Sequence, residues 1–357
     1  MDITNHLSLW FNMIDRPVFC VKSGKIIAAN SAAQHRMLCT GMDIFEIVGE
    51  HRDAYEAFES GCLYLTITAG GLPCDASVTR TDEYDIFLIL QDAEDERLQA
   101  LALAAQQLRI PLSTVMTEAD RLLAGLDTND PDTVQQAKHI NRGLFQLLRI
   151  IVNMSDANRY QNDPKADMEN VNLSSLVNEV LEKIRSVASG SGVQIQYTAI
   201  NEFVFGLANS EKLERAIHNL LSNAIKFAEP GTVVDVSLTR NGNRLAIAVT
   251  NTGTAGAAEH SFWNQYRREP AIEDSRCGLG LGMTLVRSVA SAHGGTVLVD
   301  HPANNETRVT MTIAITKKSD GDVHSPVIRL GDYAGGRDRS LLELSDILPT
   351  ESYEKIN

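Results

Sequence analysis

A heptad seam occupies the middle of the chain. Leu101, Ala105, Leu108, Leu112, Val115, Ala119, Leu122 and Leu126 recur in alternating steps of four and three, the a/d spacing of a coiled coil or helical bundle. A second seam follows in Ala137, Ile140, Leu144, Leu147, Ile151 and Met154. Between them Asp130-Pro131 is expected to break the helix, because proline lacks the N–H donor and clashes with the preceding turn. The pattern predicts a helical hairpin over residues 93–162 with one apolar stripe on each helix. Two helices alone bury too little surface, so pairing of two hairpins into a dimeric four-helix bundle is the natural solution.

The flanks read differently. Over residues 1–92, Pro17-Val18-Phe19-Cys20-Val21 is an apolar run, Ser23-Gly24 a turn and Lys25-Ile26-Ile27-Ala28-Ala29-Asn30 a second strand. Leu63 to Ile67 and Ile86 to Leu90 complete an antiparallel sheet. Asp163-Pro164 opens a polar linker, after which residues 163–317 mix helical stretches with strand-like runs such as Val233 to Leu238 and Leu245 to Val249, an α/β sandwich pattern. Residues 318–357 form a polar tail with one amphipathic stretch, Leu341 to Leu348, stopped by Pro349. The whole is a multidomain α+β chain. The tail has two open destinations, its own chain or a partner.

A net charge of −14 repels a phosphate backbone and argues against nucleic acid as a partner. No stretch approaches the roughly 18 apolar residues of a membrane span, and the first 20 residues lack a signal-peptide pattern, which together predict a cytoplasmic location. Cys20, Cys39, Cys62, Cys74 and Cys277 are scattered and odd in number, so reduced thiols are expected rather than disulfides or a zinc site.

The chemistry is carried by Asn219-Leu220-Leu221-Ser222-Asn223-Ala224-Ile225-Lys226-Phe227. On a helix Asn219 and Asn223 share a face, and with Lys226 nearby they suit a triphosphate and its magnesium, an ion that prefers oxygen ligands. Further on, Gly278, Gly280 and Gly282 alternate with leucines and open an apolar helix. Such glycines let backbone N–H groups approach phosphate oxygens at a positive helix end. No Gly-Lys-Ser/Thr closes the run, which excludes a Walker loop.

Taken with the Asn251-Thr252-Gly253 turn and the Ala292-His293-Gly294-Gly295 ending, these elements resemble the ATP-binding domain of sensor histidine kinases, the GHKL type. The resemblance implies ATP and Mg2+ as cofactors, Asn223 as the magnesium ligand, Lys226 as a phosphate contact, Asn251 as the adenine reader, and a mobile lid from about Phe262 to Cys277. Gln106-Gln107-Leu108-Arg109-Ile110-Pro111-Leu112 looks like the family's dimerisation box, usually His-Glu-Leu-Arg-x-Pro-Leu, whose proline kinks the helix. The strand, Gly turn, strand ending in Asn30 and helix opening Ser31-Ala32-Ala33 resemble a PAS sensor domain.

Three departures from the family pattern stand out. Gln106 occupies the phosphoacceptor position, and an amide is neither a base near neutral pH nor a usable nucleophile, so phosphoryl transfer to position 106 should fail. Gln107 stands where an acidic residue would orient that histidine. Asn251 replaces an aspartate and Ala255 a glycine at the adenine end, which predicts about tenfold weaker ATP binding. Among the histidines, His139 beside the second seam is expected to be a surface residue. His218 is expected to be structural or solvent-facing, and His293 to cap a helix end as a cation.

The leading expectation is a degenerate histidine-kinase-type signalling protein: an ATP-binding pseudokinase or heterodimer partner, homodimeric through the hairpin, working with a response regulator or another histidine kinase. Two other readings stay open. One is an active kinase acting in trans, on another kinase's histidine or on serine as anti-sigma-factor kinases do; the other is a nucleotide-free dimeric scaffold.

Overall fold

The computed structural model describes residues 11, 13–90, 93–125, 130–162, 167–189, 191–253, 281–303, 305–315 and 338–353. Within the first 90 residues, β1 (Val18–Lys22) and β2 (Lys25–Ala29) pair through a tight turn in which Ser23 and Gly24 both have positive φ. Paired left-handed residues match the right-handed twist of the strands they join. Gly70 and Gly71 repeat the device between β3 (Cys62–Ala69) and β4 (Leu72–Arg80), and β5 (Asp85–Ile89) lies between β4 and β1. Asn30 caps the short helix α1 (Ser31–His35), accepting from Ala33 N at 2.9 Å, and the short helices α2 (Ile44–Val48) and α3 (Arg52–Glu56) follow. The buried Asn30 side chain also accepts from Val18 N and donates to the carbonyls of Phe11, Ile14 and Arg16, tying the incoming chain to the sheet.

The hairpin consists of α4 (Ala93–Ala124) and α5 (Pro131–Asn162). Pro111 lies inside α4, which continues through it. The break expected at Asp130-Pro131 is present: α4 ends at Ala124, and Pro131 is the first residue of α5. Its missing N–H is harmless there, and Asp130 accepts from Asp132 N and the Thr133 hydroxyl in front of it. The seams divide. Ala105, Leu112, Leu144, Ile151 and Met154 are buried, whereas Leu108, Val115 and Leu122 on α4 and Ile140 and Leu147 on α5 are about half exposed or more.

Beyond the hairpin, α6 (Leu173–Ala188), α7 (Ser210–Phe227) and α8 (Leu281–Ala292) cover one face of β7 (Gln194–Thr198), β9 (Val233–Asn241), β10 (Arg244–Thr252), β11 (Val297–Asp300) and β12 (Glu306–Ala314). Every pairing among these strands is antiparallel except β7 with β9. A separate two-stranded ladder joins β6 (Glu169–Asn172) to β8 (Phe205–Ala208).

One pairing was not foreseen. Strand β11 pairs antiparallel with β3, placing Val297, Leu298 and Val299 opposite Tyr64, Leu63 and Cys62, so the two sheets run on as ten strands in the order β2-β1-β5-β4-β3-β11-β12-β10-β9-β7. Side chains reinforce the seam: the Thr66 and Ser291 hydroxyls lie 2.9 Å apart, Ser291 donates to Asp75, and the Arg287 guanidinium stacks over the Tyr64 ring.

The amphipathic part of the tail docks on its own chain. Helix α9 (Arg339–Glu343) and the turn Thr350–Tyr353 pack against α5, α6 and α7, and Leu342, Leu344, Leu348 and Tyr353 enter the main core. Among the described residues no helix is long and apolar enough to cross a membrane. Among the described residues Cys20, Cys39, Cys62 and Cys74 are not in disulfides, and the Cys20 thiol is pushed up to about 12 by burial and by Asp85; Cys277 lies outside the described residues.

Candidate functional site

The sequence places Asn219, Asn223 and Lys226 on α7 because Leu213, Ile217, Leu220, Leu221 and Ile225 give that helix an apolar face for the sheet. Asn209 caps its start, accepting from Lys212 N at 2.9 Å. Asn219 is only 1% exposed and donates to the Arg215 carbonyl at 2.9 Å, so its amide is fixed rather than free to rotate. Against it sits Gly282, in the first turn of α8. A β-carbon at position 282 would lie 2.8 Å from Asn219 Oδ1 and 3.8 Å from Asn223 Nδ2. The glycine is therefore what allows α8 to close on both asparagines.

Asn223 is half-buried, three residues before Lys226, whose side chain is largely covered and points its ammonium at Asp346 of the tail, 3.4 Å away. At the other end, Leu245, Ile247 and Val249 form the helix-facing row of β10, and Asn251 continues it as a polar terminus. Asn251 is 6% exposed and, among the described residues, its Nδ2 has no hydrogen-bond partner. Buried amide donors are ordinarily paired, so this group is a candidate for recognising a ligand. Gly253 packs so tightly that a β-carbon there would come within 2.0 Å of the Phe227 carbonyl, which brings the end of β10 against the end of α7. Asn219, Asn223, Gly282, Asn251 and Gly253 thus gather around the C-terminal half of α7. Gly278, Gly280, Ala255 and the expected lid from Phe262 to Cys277 lie outside the described residues.

Among the described residues no three His, Cys, Asp or Glu side chains cluster to hold a metal. The donor set of Asn223 suits a magnesium that is held mainly by phosphate oxygens and takes a neutral amide oxygen from the protein.

One histidine expectation changes. His293 does not cap as a cation: its Nε2 accepts from Asn209 N at 3.1 Å, so Nδ1 carries the proton shared with the Val289 carbonyl at 2.7 Å. Burial pushes its pKa down to about 4. It joins the end of α8 to the start of α7, and Gly294 at φ +65° and Gly295 against the Thr312 carbonyl complete the turn. His218 is fully buried, between the Glu214 carbonyl at 2.9 Å and the Ser340 hydroxyl at 3.3 Å, and burial pushes it down to about 3. His139 is exposed, as are Gln106 and Gln107 on α4.

Sequence reasoning missed a charged cluster beneath α7. Arg215 pairs with Asp156 of α5 at 2.9 Å and with Glu343 of α9, while Arg149 of α5 donates to Ser222 at 2.9 Å and to Asp346 at 2.5 Å. Only the acidic residues set among the tail's leucines signalled it.

Residues 208–317, the stretch that carries this geometry, match the family of histidine kinase-, DNA gyrase B- and HSP90-like ATPases. The sensor-like histidine kinase SenX3 of Mycolicibacterium smegmatis is 29% identical over 253 residues, covering 68% of this chain and 64% of that protein. The family match and this relative support membership of the sensor histidine kinase family. SenX3 of Mycobacterium tuberculosis is 28% identical over 211 residues, 58% of this chain and 51% of that protein. The chain thus spans less than two thirds of the length of these histidine kinase relatives. Among solved structures, full-length ShkA in complex with AMPPNP is similar at 21% identity and a TM-score of 0.47, covering 62% of this chain and 47% of that one.

Proposed function

We propose that this chain is a nucleotide-binding signalling protein that does not phosphorylate itself at position 106. The observation that carries the reading is the pairing of a closely packed asparagine helix, where Gly282 admits Asn219 and Asn223, with a glutamine at the position matching the family's acceptor histidine. ATP would lie along the C-terminal half of α7 with its phosphates toward Asn223 and Lys226 and its base toward Asn251. Asn223 would hold the magnesium, which would offset the charge of the phosphates. Gly253, Gly278, Gly280 and Gly282 would let backbone approach the nucleotide.

In this reading residues 1–92 are a PAS-like sensor, 93–162 the dimerisation hairpin, 163–317 the ATP-binding domain and 318–357 a tail. The half-exposed stripe of Leu108, Val115 and Leu122, seven residues apart, with Ile140 and Leu147 on α5, supports a homodimer in which two hairpins complete a four-helix bundle. A cytoplasmic protein working with a response regulator or a partner histidine kinase fits that architecture. An amide cannot take up a phosphoryl group as imidazole does.

Incubation with γ-labelled ATP tests the reading: no acid-labile phosphate is expected on the chain alone. Label recovered on the chain itself would contradict it. Label transferred to an added kinase's histidine would move the assignment from pseudokinase to heterodimer partner.

A further inference from the structure

We propose that residues 338–353 are a latch on the nucleotide site: the groove between α5 and α7 receives an acidic, leucine-bearing segment of the chain's own tail, and Asp346 of that segment holds the lysine that would otherwise meet a phosphate. The inference rests on the nucleotide reading above.

Two parts of the segment do different work. The first part fastens it. Glu343 is fully buried and paired with Arg215, with Arg149 Nε 3.7 Å from its other oxygen. Ser222 donates to the Glu343 carbonyl at 3.3 Å, and Gln146 and Arg142 of α5 donate to the Ser345 carbonyl at 3.2 and 3.3 Å. Phe145 meets the Tyr353 ring edge-on, and Asn141 donates to the Tyr353 carbonyl. A buried charge with its partners in place is costly to dislodge, so this part fixes where the segment lies.

The second part is Asp346, and it stands at the rim. Its side chain is 35% exposed, and one oxygen, Oδ2, takes both Arg149 Nη1 at 2.5 Å and Lys226 Nζ at 3.4 Å. Lys226 follows Asn223 by three residues, so the two side chains share a face of α7. A phosphate oxygen and the Asp346 carboxylate are both anionic and compete for the same ammonium, and each repels the other if both approach it. Nucleotide and latch are therefore antagonists: whatever factor the latch costs nucleotide binding, nucleotide costs the latch. Because the groove walls belong to α5 and α7, the latch also couples the state of the nucleotide site to the helical hairpin.

The test is calorimetric titration of the full chain and its Asp346→Asn variant with MgATP. The dissociation constant is expected to fall about two- to fivefold in the variant, the size of one partly exposed ion pair. A control, Glu351→Gln, removes an exposed carboxylate from the same segment and should leave the constant unchanged. Reciprocally, saturating MgATP should speed amide hydrogen exchange at residues 344–348 of the unaltered chain. Equal affinity of the Asp346→Asn variant and the parent, an equal gain in the Glu351→Gln control, or unchanged exchange would each overturn the latch while leaving nucleotide binding intact. Absence of binding to both the parent and the Asp346→Asn variant would overturn the latch and the nucleotide reading together.

Discussion

On α7 and α8 the candidate residues are packed to the limit, whereas on α4 they stand in the open. Asn219 is hydrogen-bonded and buried, Gly282 has no room for a β-carbon, and Gly253 abuts a backbone carbonyl. Gln106 and Gln107 are exposed, and the neighbouring Ile110 is 75% exposed. Packing therefore constrains the asparagine–glycine contact through stability, while position 106 carries no such constraint. A chain can exchange the residue at position 106 at almost no cost to the fold, yet it cannot easily exchange Asn219 or the glycine facing it.

The comparison can be broken at several places. The largest effect should come with acid. His218 and His293 are neutral in the folded chain, with pKa values pushed down to about 3 and about 4, and regain ordinary values near 6.5 on unfolding. The unfolded state then binds more protons below pH 6.5, so stability is fully present above that pH and is lost as pH falls. The two together should remove about 4 kcal/mol between pH 7 and pH 5, read from denaturant midpoints, and His218→Gln should flatten the slope. Retention of full stability at pH 5 would contradict the buried, neutral assignment.

Next in size, Gly282→Ala drives a methyl group into Asn219 and should cost about 1–3 kcal/mol of stability while weakening MgATP binding at least tenfold. An alanine variant with parental affinity would show that the asparagine–glycine contact is not part of the site. A smaller, opposite effect is expected for Asn251→Asp, which supplies a charged acceptor and should tighten ATP about tenfold. Unchanged affinity would remove position 251 from the base pocket. Smallest of all, Gln106→His should leave the unfolding free energy within about 0.5 kcal/mol of the parent, since the side chain touches little.

Much of this was legible in the sequence because it is written in local pattern. The seams of α4 and α5, the Ser23-Gly24 turn, the cap at Asn30 and the asparagine spacing on α7 each follow from neighbours within a few residues. Strand β4 was missed because Pro73 and Asp75 interrupt its apolar run, although Gly70-Gly71 before it is a strong hairpin signal. The β3–β11 pairing was invisible for a different reason: it is made by backbone groups on two edge strands, and edge pairing leaves little side-chain signature. Glu343 reads as a polar break in a leucine run, yet it is fully buried because Arg215 and Arg149, far away in sequence, meet it. Likewise Pro131 reads as a stop when taken with the helix before it and as a start when taken with the helix after it.

The central claim is that the phosphate side of the site still binds nucleotide. Calorimetric titration of the full chain with ATP and magnesium, beside an Asn223→Ala variant, tests it most directly. The account predicts measurable binding by the parent and its loss in the variant, with both proteins equally folded; no heat of binding up to millimolar ATP in the parent, or equal binding by the variant, would contradict it.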